Sequence, residues 1–264
     1  MHPRIFTTDF FVLHTFGVFL AAAYLASLWW FLRGAKRKGL KSEHVAGLGL
    51  WVIIGAIVGA KALMVIRFYH DYLANPADLW SLATLQSAGD FYGGFIGAIL
   101  AALIYFKRHP EMPAWITADL SAPAIALGQA IGRVGCFMAG DDYGRPTDLP
   151  WAVTFRHPDA ADIGGAPLGI PLHPVQLYES LTCLILFFFL TRLERYKRFD
   201  GEMILAYSSL YALARYFLEF FRGDADRGFV LGGWLSTSQA IAVIALVICI
   251  LLFQKLKRSK PLNL

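Results

Sequence analysis

Apolar and polar positions fall in long blocks along this chain rather than at the short periods of soluble helices or strands. Seven blocks approach the roughly 20 residues that a helix needs to cross a hydrocarbon core: 10–32, 45–66, 91–106, 115–138, 174–191, 202–221 and 232–253. The third is short, and the fourth and sixth carry charged residues. The pattern predicts an all-α, polytopic integral membrane protein with seven transmembrane helices, built as a single membrane domain over residues 1–264. The first block is not read as a cleaved secretion signal. Its apolar run continues through Leu28, Trp29, Trp30, Phe31 and Leu32 into a basic cluster, which is a stop-transfer pattern.

Composition agrees with the pattern. Of 264 residues, 57% are hydrophobic and 16% charged, against roughly 25% charged in soluble domains. The basic residues are distributed unevenly. Arg33, Lys36, Arg37, Lys38, Lys41, Lys107, Arg108, Arg192, Arg195, Lys197, Arg198, Lys255, Lys257, Arg258 and Lys260 fall on one side of the predicted spans; Arg4, Arg67, Arg145, Arg156, Arg222 and Arg227 fall on the other. The positive-inside rule then places the C-terminus in the cytoplasm and the N-terminus outside. This bias accounts for the formal charge of +5, so no nucleic-acid partner is implied.

The three cysteines show neither disulfide nor metal spacing, and Cys183 and Cys249 lie in unbroken apolar helices as small packing residues. Glycines four apart, Gly55 with Gly59, Gly93 with Gly97 and Gly128 with Gly132, match the small-xxx-small spacing that lets helix backbones meet in lipid. Packing alone explains the first pair. The other two have neighbours that make a wall beside something polar the alternative.

Polar side chains at membrane depth carry the functional signal, because a charge inside a span is costly and turns toward the bundle interior. The sixth span holds Tyr207, Tyr211, Arg215, Glu219 and Arg222 along one helix face. The fourth carries Asp119 and Arg133, and the fifth opens with His173, Gln176 and Glu179. Each has a plain structural reading: Arg215 and Glu219 neutralise each other, Arg222 snorkels to the interface, and His173 caps its helix beside Pro174. Arg133 and Arg215 together, with Glu219 as their one obvious anion, read instead as a positive pocket. Arginine's planar fork suits a phosphate, so the ligand suggested is an anionic lipid headgroup.

The stretch GRVGCFMAGDDYGR at 132–145 resembles the signature of the bacterial prolipoprotein diacylglyceryl transferases. The resemblance extends to Tyr92-Gly93-Gly94-Phe95-Ile96-Gly97, to the run His173 through Glu179, and to Tyr211-x-x-x-Arg215-x-x-x-Glu219-Phe220-x-Arg222. It implies seven spanning helices in the bacterial inner membrane and a reaction that moves the diacylglyceryl group of phosphatidylglycerol onto the lipobox cysteine of a prolipoprotein, forming a thioether and releasing glycerol phosphate. It implies catalytic roles for Arg133, Arg215, Tyr92 and Glu219. Headgroup contacts fall to Arg133, Arg215, Gly93, Gly94, Cys136, Asp141, Tyr211 and Arg222. The partners implied are phosphatidylglycerol, prolipoprotein signal peptides and membrane lipids, with no cofactor and no metal.

The chain departs from the family pattern at four places: Tyr92 replaces a histidine proposed as the base, Cys136 an asparagine, Asp141 a glutamate and Phe16 a tyrosine. A phenol with a pKa near 10 is a poor base at neutral pH, so the proton acceptor stays open among Glu219, His173 and a phosphate oxygen of the substrate. Cys136 is read as a spectator or a weak hydrogen-bonding stand-in, since nothing adjacent would activate it as a nucleophile. Residues 139–172 form a long external loop with an alternating Trp151–Phe155 run, read as a small extracytoplasmic cap holding a short strand. The segment 69–88 reads as an interfacial amphipathic helix. Two other functions fit the same arginines: a transporter or receptor for an anionic ligand, and a family relative with a changed acceptor.

Overall fold

The computed structural model describes residues 3–7, 12–81, 84, 87, 89–224 and 228–259. Arg227 and Lys260 of the charge pattern, the start of the first apolar block and parts of 69–88 lie outside the described residues. The chain divides into two compact units, one of residues 1–31 with 115–264 and one of residues 32–114.

Six described helices are long and apolar enough to cross a membrane: α1 (Thr15–Arg37), α2 (Ser42–Arg67), α4 (Phe91–Arg108), α5 (Ala114–Ala139), α7 (Val175–Leu193) and α9 (Thr237–Ser259). The expected sixth span is α8 (Glu202–Leu218), 17 residues that tighten into a 3-10 turn at Glu219–Phe221. It falls short on length, and its charged residues are what make it polar. Among the described residues there are also the short helices α3 (Tyr69–Ala74) and α6 (Pro158–Gly164). Of the interfacial helix expected over 69–88, the described residues show a short helix, a 3-10 turn at Pro76–Trp80 and helical backbone at Thr84. A β-hairpin that the apolar block concealed, β1 (Arg4–Thr7) with β2 (Val12–His14), precedes α1.

The distribution of polarity is inside out. Val58, Ile66, Leu103, Leu181, Phe188, Ile244 and Leu251 are exposed, whereas Asp119, Gln176, Glu179, Glu202, Glu219 and Gln239 are buried. Water would favour the reverse; hydrocarbon favours this arrangement. The protein is a multi-pass membrane protein.

In the unit of residues 32–114, α2 and α4 pack backbone to backbone. The two glycine pairs expected separately are one contact: a Cβ on Gly59 would meet the Gly93 carbonyl oxygen at 2.2 Å, and one on Gly97 would meet the Gly55 carbonyl oxygen at 2.1 Å. No side chain fits in either space. Lys61, a charge inside the second apolar block, is absorbed by the segment before α4, donating to the carbonyls of Thr84 (2.5 Å) and Ser87 (2.6 Å). Asp90 caps α4 by accepting from the backbone N–H of Tyr92 at 2.9 Å.

In the other unit, α5, α7 and α8 share a core of Ala122, Ala126, Leu186, Phe187, Leu190, Met203 and Tyr207. Asp119 holds the start of α8. Its carboxylate accepts from the backbone N–H groups of Gly201 (2.7 Å), Met203 (2.9 Å) and Ile204 (3.0 Å), and pairs with Lys197 at 2.9 Å. These are the N–H groups a helix start leaves without intrahelical partners. The polar residue expected inside the fourth span is therefore a tertiary helix cap. The loop after α5 has its own small core of Phe155, Ala160, Ala166 and Leu172. The strand expected at Trp151–Phe155 is two residues long: β3 (Val153–Thr154) pairs antiparallel with β4 (Pro171–Leu172).

Candidate active site

The site grows from the end of α5. Arg133 sits on its last two turns with most of its side chain enclosed, and its guanidinium meets two carboxylates. Nε lies 3.0 Å from Glu179 Oε1 of α7, and Nη1 donates to Asp142 Oδ2. Nη1 also lies 3.8 Å from the sulfur of Cys136, one turn further along α5. Glu179, itself buried, also accepts a hydrogen bond from the hydroxyl of Tyr211 on α8 at 2.6 Å. Three helices thus meet on one carboxylate.

The other arm of the network comes from the turn that leaves α5. Asp142 adopts a left-handed backbone with φ of 56°, uncommon for a residue with a side chain and a frequent feature of functional turns. The amide of Gln176 donates to the Asp141 carbonyl at 2.6 Å and holds the turn in place. So held, Asp142 bridges two arginines, offering Oδ2 to Arg133 and Oδ1 to Arg222. Arg222 also pairs with Asp224, at 2.8 Å from Nε and 2.5 Å from Nη2. The backbones cross closely here. Gly223 donates to the Tyr143 carbonyl (3.0 Å), His173 to that of Arg145 (2.9 Å), and a Cβ on Gly144 would lie 2.2 Å from the His173 carbonyl oxygen.

Arg215 forms its own pair, donating to Glu219 Oε2 at 2.6 Å and to Ser238 Oγ at 3.3 Å. Glu219 is buried, and its charge reaches Arg222. His173 lies with Nδ1 3.3 Å from the Tyr178 hydroxyl, which accepts a hydrogen bond from the Trp151 indole at 2.7 Å, and its ring stands edge-on to Phe221.

Charge in the turn is finely divided. Burial and the neighbouring Asp142 carboxylate push Asp141 up to about 6, although one edge of that residue stays open to solvent. Burial pushes Asp142 the same way, but Arg133 and Arg222 outweigh it and hold Asp142 below the usual carboxylate range. Burial opposes the charge on Arg222; Asp224 and Asp142 outweigh it and keep that guanidinium protonated. The ligand atoms of Cys136, Asp141 and Asp142 lie within 4.8 Å of one another. Cys136 and Asp142 both turn to Arg133 Nη1, so the cation this cluster serves is a guanidinium.

Arg133, Cys136, Asp141, Tyr211 and Arg222 come together, and the pair of Arg215 with Glu219 lies further along the polar stripe that Tyr211 begins. Tyr92, Gly93 and Gly94 belong to the other unit, at the start of α4, where Gly93 is occupied by packing on Gly59 and Tyr92 is partly exposed. One expectation is corrected. The arginines are not short of protein anions: Glu179, Asp142 and Asp224 partner Arg133 and Arg222, and Glu219 partners Arg215. In sequence these acids lie 2 to 80 positions from the arginines they meet, so the pairs form only once the helices and turns are in place. Glu179 stands in the sequence at helical spacing from His173 and Gln176, but nothing in that spacing shows that it pairs with Arg133.

A membrane-embedded bundle that gathers three arginines and their carboxylates at one end of its helices is the architecture of a protein that handles a charged group at the lipid boundary. The prolipoprotein diacylglyceryl transferase family model matches residues 3–254. Three proteins named phosphatidylglycerol–prolipoprotein diacylglyceryl transferase are similar over much of their length. That of Clostridium tetani is 33% identical over 253 residues, 96% of this chain and 97% of the relative. That of Geobacter sulfurreducens is 34% identical over 236 residues, 87% and 86%. That of Pseudomonas putida strain GB-1 is 35% identical over 205 residues, 76% and 73%. The chain belongs to the prolipoprotein diacylglyceryl transferase family.

Proposed function

We propose that this chain transfers the diacylglyceryl group of phosphatidylglycerol to the lipobox cysteine thiol of a prolipoprotein in the bacterial inner membrane. The match to the family across residues 3–254 carries this reading. The C–S bond forms as the C–O bond to the phosphate breaks, and glycerol phosphate departs with the electron pair. Arg133 and Arg215 stabilise the charge growing on that phosphate, which preorganised donors in a water-poor site do effectively. Glu179 and Glu219 hold the two guanidiniums in position beforehand. Arg222, Tyr211, Cys136 and Asp141 border the headgroup, and Glu219, His173 and a phosphate oxygen of the substrate are the candidate acceptors of the thiol proton. The chain makes seven spans, of which α8 is the sixth in chain order, and residues 139–172 form a cap on the extracytoplasmic face. The N-terminus lies outside and the C-terminus inside, following the lysine bias.

The test is purified protein in phosphatidylglycerol vesicles with a peptide carrying one lipobox cysteine. The expected result is a mass gain of one diacylglyceryl group on that cysteine. Uptake of a phosphorylated solute by the same vesicles, with the peptide unmodified, would overturn the reading in favour of transport.

A further inference from the structure

At the lysine-rich end of α2 and α4, far in sequence from the arginine network, two histidines and a glutamate converge. His44 Nδ1 lies 3.5 Å and His109 Nδ1 3.1 Å from the same oxygen, Glu111 Oε1. One ligand atom from each of the three lies within 4.8 Å of the others. The imidazole rings are 5.0 Å apart. We propose that His44, His109 and Glu111 form a binding site for one divalent transition-metal ion.

Donor chemistry supports the assignment. Two imidazole nitrogens and one carboxylate are a ligand set for zinc and its neighbours, leaving a fourth position for water. Calcium and magnesium prefer oxygen throughout. A lone His–carboxylate contact needs only one histidine; here both turn Nδ1 inward to one oxygen.

The scaffold is fixed independently of any ion. A Cβ on Gly47, one turn beyond His44, would lie 2.4 Å from the Tyr105 hydroxyl, so that ring occupies the place a side chain would take. Tyr105 stands one turn before His109, and the two rings lie 4.3 Å apart. The seating of Tyr105 against Gly47 sets His109 opposite His44. The turn His109–Met112, closed by the Met112 N–H donating to the His109 carbonyl at 3.0 Å, swings Glu111 back between them. A bound ion would pin the start of α2 to the end of α4, the helix pair already locked by Gly59 and Gly93.

Purified full-length protein, stripped with a chelator, is titrated with Zn2+ in competition with a chromogenic chelator, and with Co2+ followed by its visible absorption. The expected result is one ion per chain, with a Co2+ spectrum of four-coordinate type. His44→Ala, His109→Ala and the near-isosteric Glu111→Gln should each weaken binding at least about tenfold, since even outer-shell changes weaken metal sites by that much. Helical content by circular dichroism reports whether each variant is folded. Cys136→Ser should leave one ion bound. Zinc binding unchanged in all three ligand variants, binding lost in Cys136→Ser, or no binding by the folded wild type would each overturn the proposal.

Discussion

Glu179 and Arg133 form a buried ion pair between α7 and α5, Oε1 to Nε at 3.0 Å, with Tyr211 of α8 donating to the same oxygen at 2.6 Å. The pair is made inside the bundle. Breaking a buried pair by removing one partner leaves an uncompensated charge, at about 3–5 kcal/mol. Glu179→Ala should therefore lower the thermal midpoint markedly. Glu179→Gln, which keeps an acceptor for Tyr211, should retain more stability while slowing diacylglyceryl transfer at least about tenfold, because Arg133 is no longer oriented. Thermal unfolding in detergent and transfer rate per folded molecule separate the two effects.

The Asp141–Asp142 doublet makes stability depend on pH in two opposite ways. Asp142 lies below the usual carboxylate range, so the stability it contributes is present above about pH 4, near the unfolded value, and is lost as pH falls through the lowered one. Asp141 is pushed up to about 6. The folded chain therefore binds more protons than the unfolded one between about pH 4 and 6, and stability declines as pH rises through that window. Solvent at the edge of Asp141 screens the interaction and makes the slope shallow. Asp141→Asn should flatten the thermal midpoint between pH 4 and 6; an unchanged slope would show that another group titrates there.

Asp119→Ala should damage folding without touching the chemistry. It removes three backbone hydrogen bonds at the start of α8 and one of the two carboxylate partners of Lys197, which keeps Asp200. A loss of about 1–3 kcal/mol for each buried N–H left without a partner is expected, read as a lower thermal midpoint, with the transfer rate of the surviving folded fraction close to that of the wild type.

Gly59→Ala should destabilise the α2–α4 pair, because its Cβ would fall 2.2 Å from the Gly93 carbonyl oxygen. Overpacking of this kind costs about 1–3 kcal/mol. Cysteine crosslinking between the two helices should shift register in the variant, whereas an unperturbed crosslinking pattern would mean that the backbones separate easily.

Much of this was legible in the sequence because hydrocarbon imposes a simple rule on composition. The apolar blocks located every long helix, with ends displaced by a few residues; the pairs Gly55–Gly59 and Gly93–Gly97 gave the spacing for close packing without saying that they pack on each other, whereas Gly132 of the third pair faces open space. The polar stripe on α8 was legible because helical spacing puts Tyr207, Tyr211, Arg215 and Glu219 on one face. What the sequence concealed was partnership between distant residues. Asp142 meets Arg222 only after the turn at residues 140–145 crosses residues 221–223, joined by the bond from Arg145 to the Phe221 carbonyl at 2.8 Å. Periodicity within one helix carries no trace of that crossing. Asp119 was misleading for the same reason, since a carboxylate capping the start of another helix looks in sequence like any charge in a span.

Whether Arg133 and Arg215 serve the departing phosphate is read most directly by single-turnover transfer. Wild type, Arg133→Ala and Arg215→Ala are each followed for thioether-linked diacylglyceryl peptide and for glycerol phosphate released from phosphatidylglycerol. The account predicts that wild type forms the two products in equal amounts. It predicts that each inserted, folded variant is slower by about 100-fold or more, the loss typical of removing one preorganised donor to a developing anion. Full-rate transfer by either variant, or wild type that forms neither product, would contradict it.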